Sequence, residues 1–197
     1  MFSITKTDWQ PAPATCERHL FAIGDVHGMA KHYKHMLDIA YEDRSKDPLV
    51  VQVGDLIDRG PYSLECLALA SEYNAKYGHE VLLGNHEQFM FHSLIHDEAW
   101  LHSLWFRNGA SAIAKELKVE INPLNPAGTN YLPALRKWCK ENPDAVAIMG
   151  KLKHYIKLDN YLLIHAGVNP LHSLEDWLAQ DFMHIPNNRQ EENASAV

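Results

Sequence analysis

Four short apolar runs alternate with longer segments of helical periodicity along the chain. The runs are rich in Val, Ile and Leu, and each ends directly at a Gly or a His; they cover residues 20–23, 49–53, 81–83 and 161–164. Runs of this length and composition are typical of buried β-strands. Because strands that alternate with helices form parallel sheets with right-handed crossovers, the pattern predicts an α/β fold.

Helical segments fill the spaces between the apolar runs. Residues 29–43 place apolar side chains on one face, and residues 63–78 end in a glycine, which commonly caps helices. The segment 84–118 has a helical composition that is interrupted at Asn108-Gly109. The remaining predicted elements are a loop over 121–130, a helix within 131–149 and a β-hairpin across 155–167.

Composition narrows the class of protein. A chain of 197 residues, 46% hydrophobic and 22% charged, suits one globular domain with a substantial core. The formal net charge of -7 argues against a nucleic-acid partner, and no apolar run approaches the ~20 residues of a membrane span. Three cysteines without paired spacing argue against a disulfide framework. We therefore expect a cytoplasmic protein that binds neither nucleic acid nor membranes.

Each apolar run is followed by side chains that can bind a metal ion. These side chains are Asp25 and His27, Asp55 and Asp58, Asn85 and His86, and His165. One such cluster is typical of a turn, but four at the same structural position favour a shared site, because the carboxyl ends of parallel strands lie along one edge of a sheet. Asp25 and His27 are expected to point the same way, since one residue separates them on an extended backbone.

The chemistry of this set indicates a pair of metal ions. Carboxylate, amide and imidazole donors without a thiolate suit Mn, Fe or Zn. Asp55 lies in the central cluster and could bridge two ions ~3.5–4 Å apart. Two such ions make hydroxide available near neutral pH and neutralise a phosphoryl group in transit.

The motifs GDVHG, GDLIDRGP, GNHE and HAG, in that order, resemble those of the calcineurin-like metallophosphoesterases. More narrowly they are similar to the phosphoprotein phosphatase branch, which includes bacterial and phage-lambda-type serine/threonine protein phosphatases and symmetrical diadenosine tetraphosphatases. The resemblance spans about residues 19–170 and implies an αββα sandwich. We expect an N-terminal arm over 1–17, a catalytic domain over 18–185 and a polar tail over 186–197.

The resemblance also implies a set of metal ligands. Asp25 and His27 would hold the first ion, Asn85 and His165 would hold the second, and Asp55 would bridge the two. The two divalent ions are expected to be Mn²⁺, with Fe, Zn or Ni as alternatives.

Three further residues carry the chemistry that the resemblance implies. His86 would protonate the leaving group, oriented by Asp58, and Arg59 would bind the phosphate oxygens. Metal-bound hydroxide would attack the phosphorus in line. Glu87, which completes the GNHE motif, is expected to be a structural partner rather than a ligand.

The chain departs from the family pattern after the HAG motif. Members usually carry a later Gly-His pair that adds an imidazole to the second ion, and none follows His165 here. His172 and His184 are possible substitutes, and Arg189 is a possible second phosphate ligand. Three interpretations stay open, namely a truncated chain, a short variant with a weaker second site, or completion by another chain. An incomplete second sheet would leave an open edge, so a homo-oligomer is possible.

The expected function is that of a binuclear phosphomonoesterase resembling serine/threonine protein phosphatases, acting on a phosphorylated protein or a small phosphate ester. A diadenosine tetraphosphatase or another small-molecule phosphoesterase is the first alternative. A non-catalytic binding module with a degraded second metal site is another. Trp100, Trp105 and Phe106 are spaced as a helical stripe and are predicted to belong to the core. A wall beside the metals or a base-stacking platform is the alternative.

Overall fold

Three parallel strands form the sheet whose ends carry most of the candidate residues. In the computed structural model, residues 18–95, 99–121, 130–158 and 161–167 are described. The strands are β1 (Leu20–Ile23), β2 (Leu49–Gln52) and β3 (Glu80–Val81), in the order β1-β2-β3. Leu20 pairs with Leu49, and Val51 pairs with Glu80. The first three predicted strands and their parallel pairing are therefore confirmed.

Two helices make the crossovers between these strands. Helix α1 (Ala30–Ala40) buries four residues at spacings of three and four, so one face packs on the sheet; they are Ala30, Tyr33, Leu37 and Ala40. Helix α2 (Ser63–Tyr77) ends at Gly78, whose left-handed φ of 72° turns the chain into β3.

Helices α3 to α6 follow the third strand. They cover Asn85–Ile95, Ala99–Trp105, Ser111–Glu116 and Tyr131–Glu141, with a five-residue π-helical turn at Phe106–Ala110 between α4 and α5. The predicted interruption is confirmed, because Gly109 has a φ of 123° inside that turn. No helix within the described ranges is long and apolar enough to cross a membrane.

The predicted hairpin is confirmed, but its place in the fold differs from the prediction. Strands β4 (Tyr155–Leu158) and β5 (Tyr161–Ile164) pair antiparallel in a second sheet of their own. The expectation that residues 161–164 form a strand of the parallel sheet is wrong, because among the described strands β5 pairs with β4 alone. A parallel bridge between Leu82 and Lys153 links the two sheets.

The two faces of the parallel sheet contact different layers. Val50 belongs to the large cluster formed with the helices, whereas Leu49 and Val51 belong to a smaller cluster against the hairpin. This follows from the alternation of side chains along a strand. The α/β expectation is confirmed, and the two sheets pack face to face. The incomplete second sheet and the domain boundaries stay predictions, since residues 1–17 and 168–197 lie outside the described residues.

Candidate metal centre

The loops that follow β1 and β2 are joined by backbone hydrogen bonds. The N–H groups of His27 and Gly28 donate to the carbonyls of Asp55 and Leu56, at 2.9 and 2.7 Å. The Gly60 N–H donates back to the carbonyl of His27 at 3.0 Å. These bonds hold the GDVHG and GDLIDRG motifs as one unit, so the positions of their side chains do not depend on either loop alone.

Left-handed backbone is concentrated in these two loops. Among the described residues six non-glycine positions have a positive φ, and four of them are predicted site residues: His27 (44°), Asp55 (59°), Asp58 (71°) and Arg59 (65°). Such conformations cost on the order of 1–2 kcal/mol each for a residue with a Cβ. The expected extended backbone between Asp25 and His27 is wrong at His27, although the two side chains do lie close together.

The first half of the centre consists of Asp25, His27 and Asp55. The Nε2 atom of His27 lies 3.8 Å from Asp25 Oδ2 and 3.7 Å from Asp55 Oδ2. The Nδ1–H of His27 donates to the carbonyl of Ile57 at 2.9 Å. Because that bond fixes the tautomer, the lone pair of Nε2 is directed at the two carboxylates.

The second half consists of Asp55, Asn85 and His165. His165 Nε2 lies 3.2 Å from Asn85 Oδ1 and 3.5 Å from Asp55 Oδ1. Its Nδ1–H donates to the carbonyl of Val53 at 2.8 Å, which leaves Nε2 as an acceptor. Asp55 therefore directs one carboxylate oxygen at each half.

This donor set fits divalent cations. Asp25, Asp55 and His165 offer ligand atoms that all lie within 4.8 Å of one another, as do His27, Asp55 and His86. Separations of this size are what ligands at roughly 2.1 Å from a common ion require. The donors match Mn, Fe, Zn or Ni and do not select among them.

Arg59 lies over the first half of the centre. Its Nη1 donates to His27 Nε2 at 2.8 Å and its Nη2 to His86 Nε2 at 3.1 Å. Both contacts bring positive charge to lone pairs of the site. They also place the fork of the guanidinium where it can receive phosphate oxygens.

His86 and Asp58 form a fully buried pair beside Arg59. The Nδ1–H of His86 donates to Asp58 Oδ2 at 2.7 Å. Burial lowers the pKa of His86, but the hydrogen bond and charge of Asp58, together with the charge of Asp55, outweigh this effect and raise that pKa. Burial raises the pKa of Asp58, opposed by its hydrogen bonds from His86 and Trp105. The pair fixes the ring of His86 with its Nε2 atom facing Asp55 Oδ2 at 3.9 Å.

Glu87 supports the loop that carries Asp55. Its fully buried carboxylate accepts four backbone N–H groups, from Asp55 (2.8 Å) and Gly84 (3.1 Å) on one oxygen and from Leu56 (2.8 Å) and Ile57 (3.2 Å) on the other. Burial and the charge of Asp55 raise the pKa of Glu87 to about 7, while the backbone donors oppose that rise. The prediction of a structural partner is confirmed.

All eight predicted site residues lie in the described part of the chain, and the structure brings them together. The roles assigned to each of them stay predictions. His172, His184 and Arg189 lie outside the described residues.

Trp105 was missed as a contributor to the site. It was predicted as core, with a wall beside the metals as an alternative, but not as a partner of Asp58, to which its buried indole N–H donates at 2.6 Å. A buried indole N–H must find an acceptor, and that requirement was the signal available in the sequence.

Residues 19–193 match the family of calcineurin-like phosphoesterases, and the chain belongs to that family.

Relatives with curated names fall in two groups. The chain is 31% identical over 173 residues to a symmetrical bis(5'-nucleosyl)-tetraphosphatase of Cellvibrio japonicus, which covers 85% of this chain and 53% of the relative. It is 28% identical over 159 residues to the protein of the same name from Nitrosospira multiformis, covering 79% and 46%. It is 39% identical over 92 residues to serine/threonine-protein phosphatase 1 of Salmonella typhimurium, covering 47% and 39%. The chain thus spans about half the length of the tetraphosphatases that it matches.

Proposed function

We propose that the chain is a metal-dependent phosphomonoesterase, with phosphoserine and phosphothreonine proteins as its first candidate substrates. The observation that carries the proposal is the buried His86–Asp58 pair, joined at 2.7 Å. His86 Nε2 lies 3.9 Å from Asp55 Oδ2 and 3.1 Å from Arg59 Nη2. A proton donor, a phosphate-binding cation and the bridging carboxylate therefore face one small volume.

The chain's own residues divide the work of holding ions. In the proposal Asp25, His27 and Asp55 hold the first ion, and Asp55, Asn85 and His165 hold the second. The ions, when bound, supply an activated water and neutralise charge on the phosphoryl group. The carbonyls of Ile57 and Val53 keep the two imidazoles in the tautomer that can bind them.

The remaining residues act on the substrate. Arg59 binds the phosphate oxygens through its fork, which orients the phosphorus for in-line displacement. When Arg59 turns to the phosphate, His86 Nε2 no longer accepts its hydrogen bond and can carry a proton. His86 gives that proton to the leaving oxygen, and Asp58 holds the opposite ring nitrogen so that the imidazole stays directed at that oxygen.

The nature of the acid favours a phosphomonoester. A serine or threonine alkoxide must be protonated as it leaves, so a positioned acid contributes most for such esters. The leaving group of a phosphoanhydride is a phosphate oxyanion, which needs little protonation. An acid as buried and oriented as His86 therefore supports an ester of an alcohol as the substrate.

A dinucleoside tetraphosphate is the second candidate substrate. It is supported by the relatives named as symmetrical tetraphosphatases, which align over 79% and 85% of this chain. The protein phosphatase relative aligns over 47%.

Steady-state kinetics separates the candidates. We would measure kcat/KM for a phosphoserine peptide, diadenosine tetraphosphate and p-nitrophenyl phosphate, with Mn²⁺ and with a chelator, and with Asp55→Asn as the inactive control. A peptide preferred over the tetraphosphate by about tenfold or more supports the first candidate, and the reverse preference supports the second. Two results together would contradict both candidates and favour a binding module. Wild type would hydrolyse none of the three substrates in the presence of Mn²⁺, and Asp55→Asn would bind partners as wild type does.

The acid is tested by varying the leaving group. His86→Asn should lower kcat about 10²–10³-fold for phenyl phosphate, whose phenolate must be protonated, and far less for 2,4-dinitrophenyl phosphate. An equal loss for both esters would contradict the proposed role of His86.

A further inference from the structure

One oxygen of Asp58 receives two buried donors from different helices. The Nδ1–H of His86, near the start of α3, donates to Oδ2 at 2.7 Å. The Nε1–H of Trp105, at the end of α4, donates to the same atom at 2.6 Å. All three side chains are fully buried. The indole therefore makes the same kind of contact with Asp58 as the histidine that Asp58 orients.

The orientation of this carboxylate depends on those two donors. Within the described residues, Asp58 Oδ1 is buried and has no hydrogen-bond partner. The backbone N–H of Asp58 donates to Ser63 Oγ at 2.9 Å, which fixes the main chain but not the rotation of the carboxylate. The terminal torsion of an aspartate is broad and close to two-fold, so it takes its value from its hydrogen bonds. Without the indole N–H, the carboxylate of Asp58 would keep only the hydrogen bond from His86 among the described residues. His86 is the residue that this carboxylate has to orient.

Trp105 is well placed to serve as a fixed reference. Its ring packs on Tyr131, with centroids 5.7 Å apart and planes tilted by 58°. The π-helical turn begins at the next residue, and the Gly109 carbonyl in that turn accepts the backbone N–H of Arg59 at 3.2 Å. One continuous element thus contacts both Asp58 and Arg59, the two adjacent residues with left-handed backbone.

We propose that Trp105 is a positioning residue for leaving-group protonation, because its indole N–H fixes the Asp58 carboxylate that in turn directs His86. The inference rests on the proposed function, in which His86 is the acid. In that reaction the oxygen of water forms the new bond to phosphorus and the ester P–O bond breaks. The electron pair of that bond stays on the ester oxygen, which takes the Nε2 proton of His86. Water and the ester become the alcohol and inorganic phosphate, and His86 recovers a proton derived from the attacking water through solvent.

Leaving-group dependence distinguishes positioning from simple packing. Trp105→Phe keeps an aromatic ring but removes the N–H. It should lower kcat about tenfold for phenyl phosphate and less than about twofold for 2,4-dinitrophenyl phosphate, with KM unchanged. Trp138→Phe is the matched control, since Trp138 is partly buried against the same core cluster, and it should change neither value. A loss in Trp105→Phe that is equal for both esters would overturn the proposal and leave Trp105 a packing residue.

A double-mutant cycle tests whether Trp105 acts through His86. In the His86→Asn background, adding Trp105→Phe should change kcat for phenyl phosphate by less than about twofold, because the acid is already absent. A further tenfold loss would overturn the proposal while leaving the role of His86 intact. If His86→Asn itself loses activity equally for both esters, the proposed function fails at that residue and the inference fails with it.

NMR of the His86 side chain tests the positioning role of Trp105 without measuring turnover. The proton on Nδ1 of His86 lies in a short hydrogen bond to Asp58 and can be followed by NMR in the metal-free chain. Trp105→Phe should shift this signal or broaden it through faster exchange with solvent, whereas Trp138→Phe should leave it in place. A signal that is the same in all three proteins would overturn the proposal.

Discussion

At the scale of single residues, the left-handed backbone of Asp55 is stabilised by the neighbouring carboxylate of Glu87. Asp55 adopts a φ of 59°, and the loop that carries it is held by the four backbone N–H groups that Glu87 accepts. An aspartate in this conformation is retained only where its surroundings determine it fully. The buried carboxylate of Glu87 supplies that determination, so the geometry of the proposed ligand Asp55 depends on a residue outside the proposed ligand set.

Glu87→Gln should therefore damage both stability and metal binding. The glutamine NH₂ group would replace an oxygen that accepts two backbone N–H groups, leaving those donors unsatisfied in a buried place. The free energy of unfolding of the metal-free chain should fall by about 3 kcal/mol, measured by urea unfolding. Affinity for Mn²⁺, measured by calorimetry, should fall as well. Glu141→Gln, on the exposed end of α6, should change stability by less than about 0.5 kcal/mol. Equal effects in the two variants would contradict the support role.

His79 makes the fold sensitive to acid. It is fully buried, contacts Tyr33 Oη at 2.6 Å through Nε2, and donates from Nδ1 to the carbonyl of Val50 at 3.0 Å. Burial lowers its pKa from 6.5 to about 4, so the unfolded chain binds a proton before the folded chain does. The contribution of His79 to the free energy of unfolding is therefore fully present above pH ~6.5. About 3 kcal/mol of it is lost as the pH falls towards ~4.

The test compares wild type with His79→Gln, which keeps polar groups but cannot be charged. Unfolding by urea between pH 4 and 7.5 should show a smaller loss of stability in the variant, because the other acids titrate in both proteins. Curves that stay parallel across this range would contradict the assignment to His79.

Much of the residue-level site could be predicted from sequence, because ligand chemistry follows from residue type and from position at a strand end. Asp25, Asp55 and His165 meet as expected. The left-handed backbone of His27 and the contact of Trp105 with Asp58 could not be predicted. Both depend on how distant segments cross, which neither periodicity nor local turn preference encodes.

At the scale of elements, the strands at the site edge were predictable and the sheet that holds the last of them was not. Apolar runs mark β1, β2 and β5 with nearly their observed bounds. A short apolar run does not indicate which sheet its strand joins. The two-residue connection before β5 indicates that this strand pairs antiparallel with β4. His165 reaches the site nevertheless, because the hairpin packs against the face of β2 that carries Val51.

The π-helical turn is the element whose shape most directly controls Arg59. A Cβ on Gly109 would lie 2.8 Å from Arg59 Cγ and 2.9 Å from Arg59 N, and its φ of 123° is closed to other residues. Gly109→Ala should move Arg59, raise KM for p-nitrophenyl phosphate about tenfold and lower the free energy of unfolding by about 1–3 kcal/mol.

Gly150→Ala provides the control for this change. A Cβ there has no atom within 4 Å, so KM and stability should stay near wild type. A Gly109→Ala protein with wild-type KM would show that Arg59 does not depend on the turn.

At the scale of the whole molecule, ions should act as part of the fold. The centre joins β1, β2, α3 and the end of β5, and its ligands lie on both sheets. Asp25, Asp55 and His165 bring ligand atoms from three segments within 4.8 Å of one another. We therefore expect bound ions to stabilise the packing of the two sheets as well as the candidate site.

Thermal unfolding measures this coupling. Mn²⁺ at about 100 times its Kd should add about 2.7 kcal/mol per bound ion to the free energy of unfolding, because the ions bind the folded chain alone. For a chain of this size that corresponds to a rise in Tm of roughly 5–10 °C for each ion. Asp55→Asn should show less than half of the rise, since Asp55 contributes to both halves, and metal analysis of wild type should approach two ions per chain. A single ion per chain would show that Asn85 and His165 do not hold a second ion by themselves. Equal rises in Tm for wild type and Asp55→Asn would contradict a bridging role for Asp55.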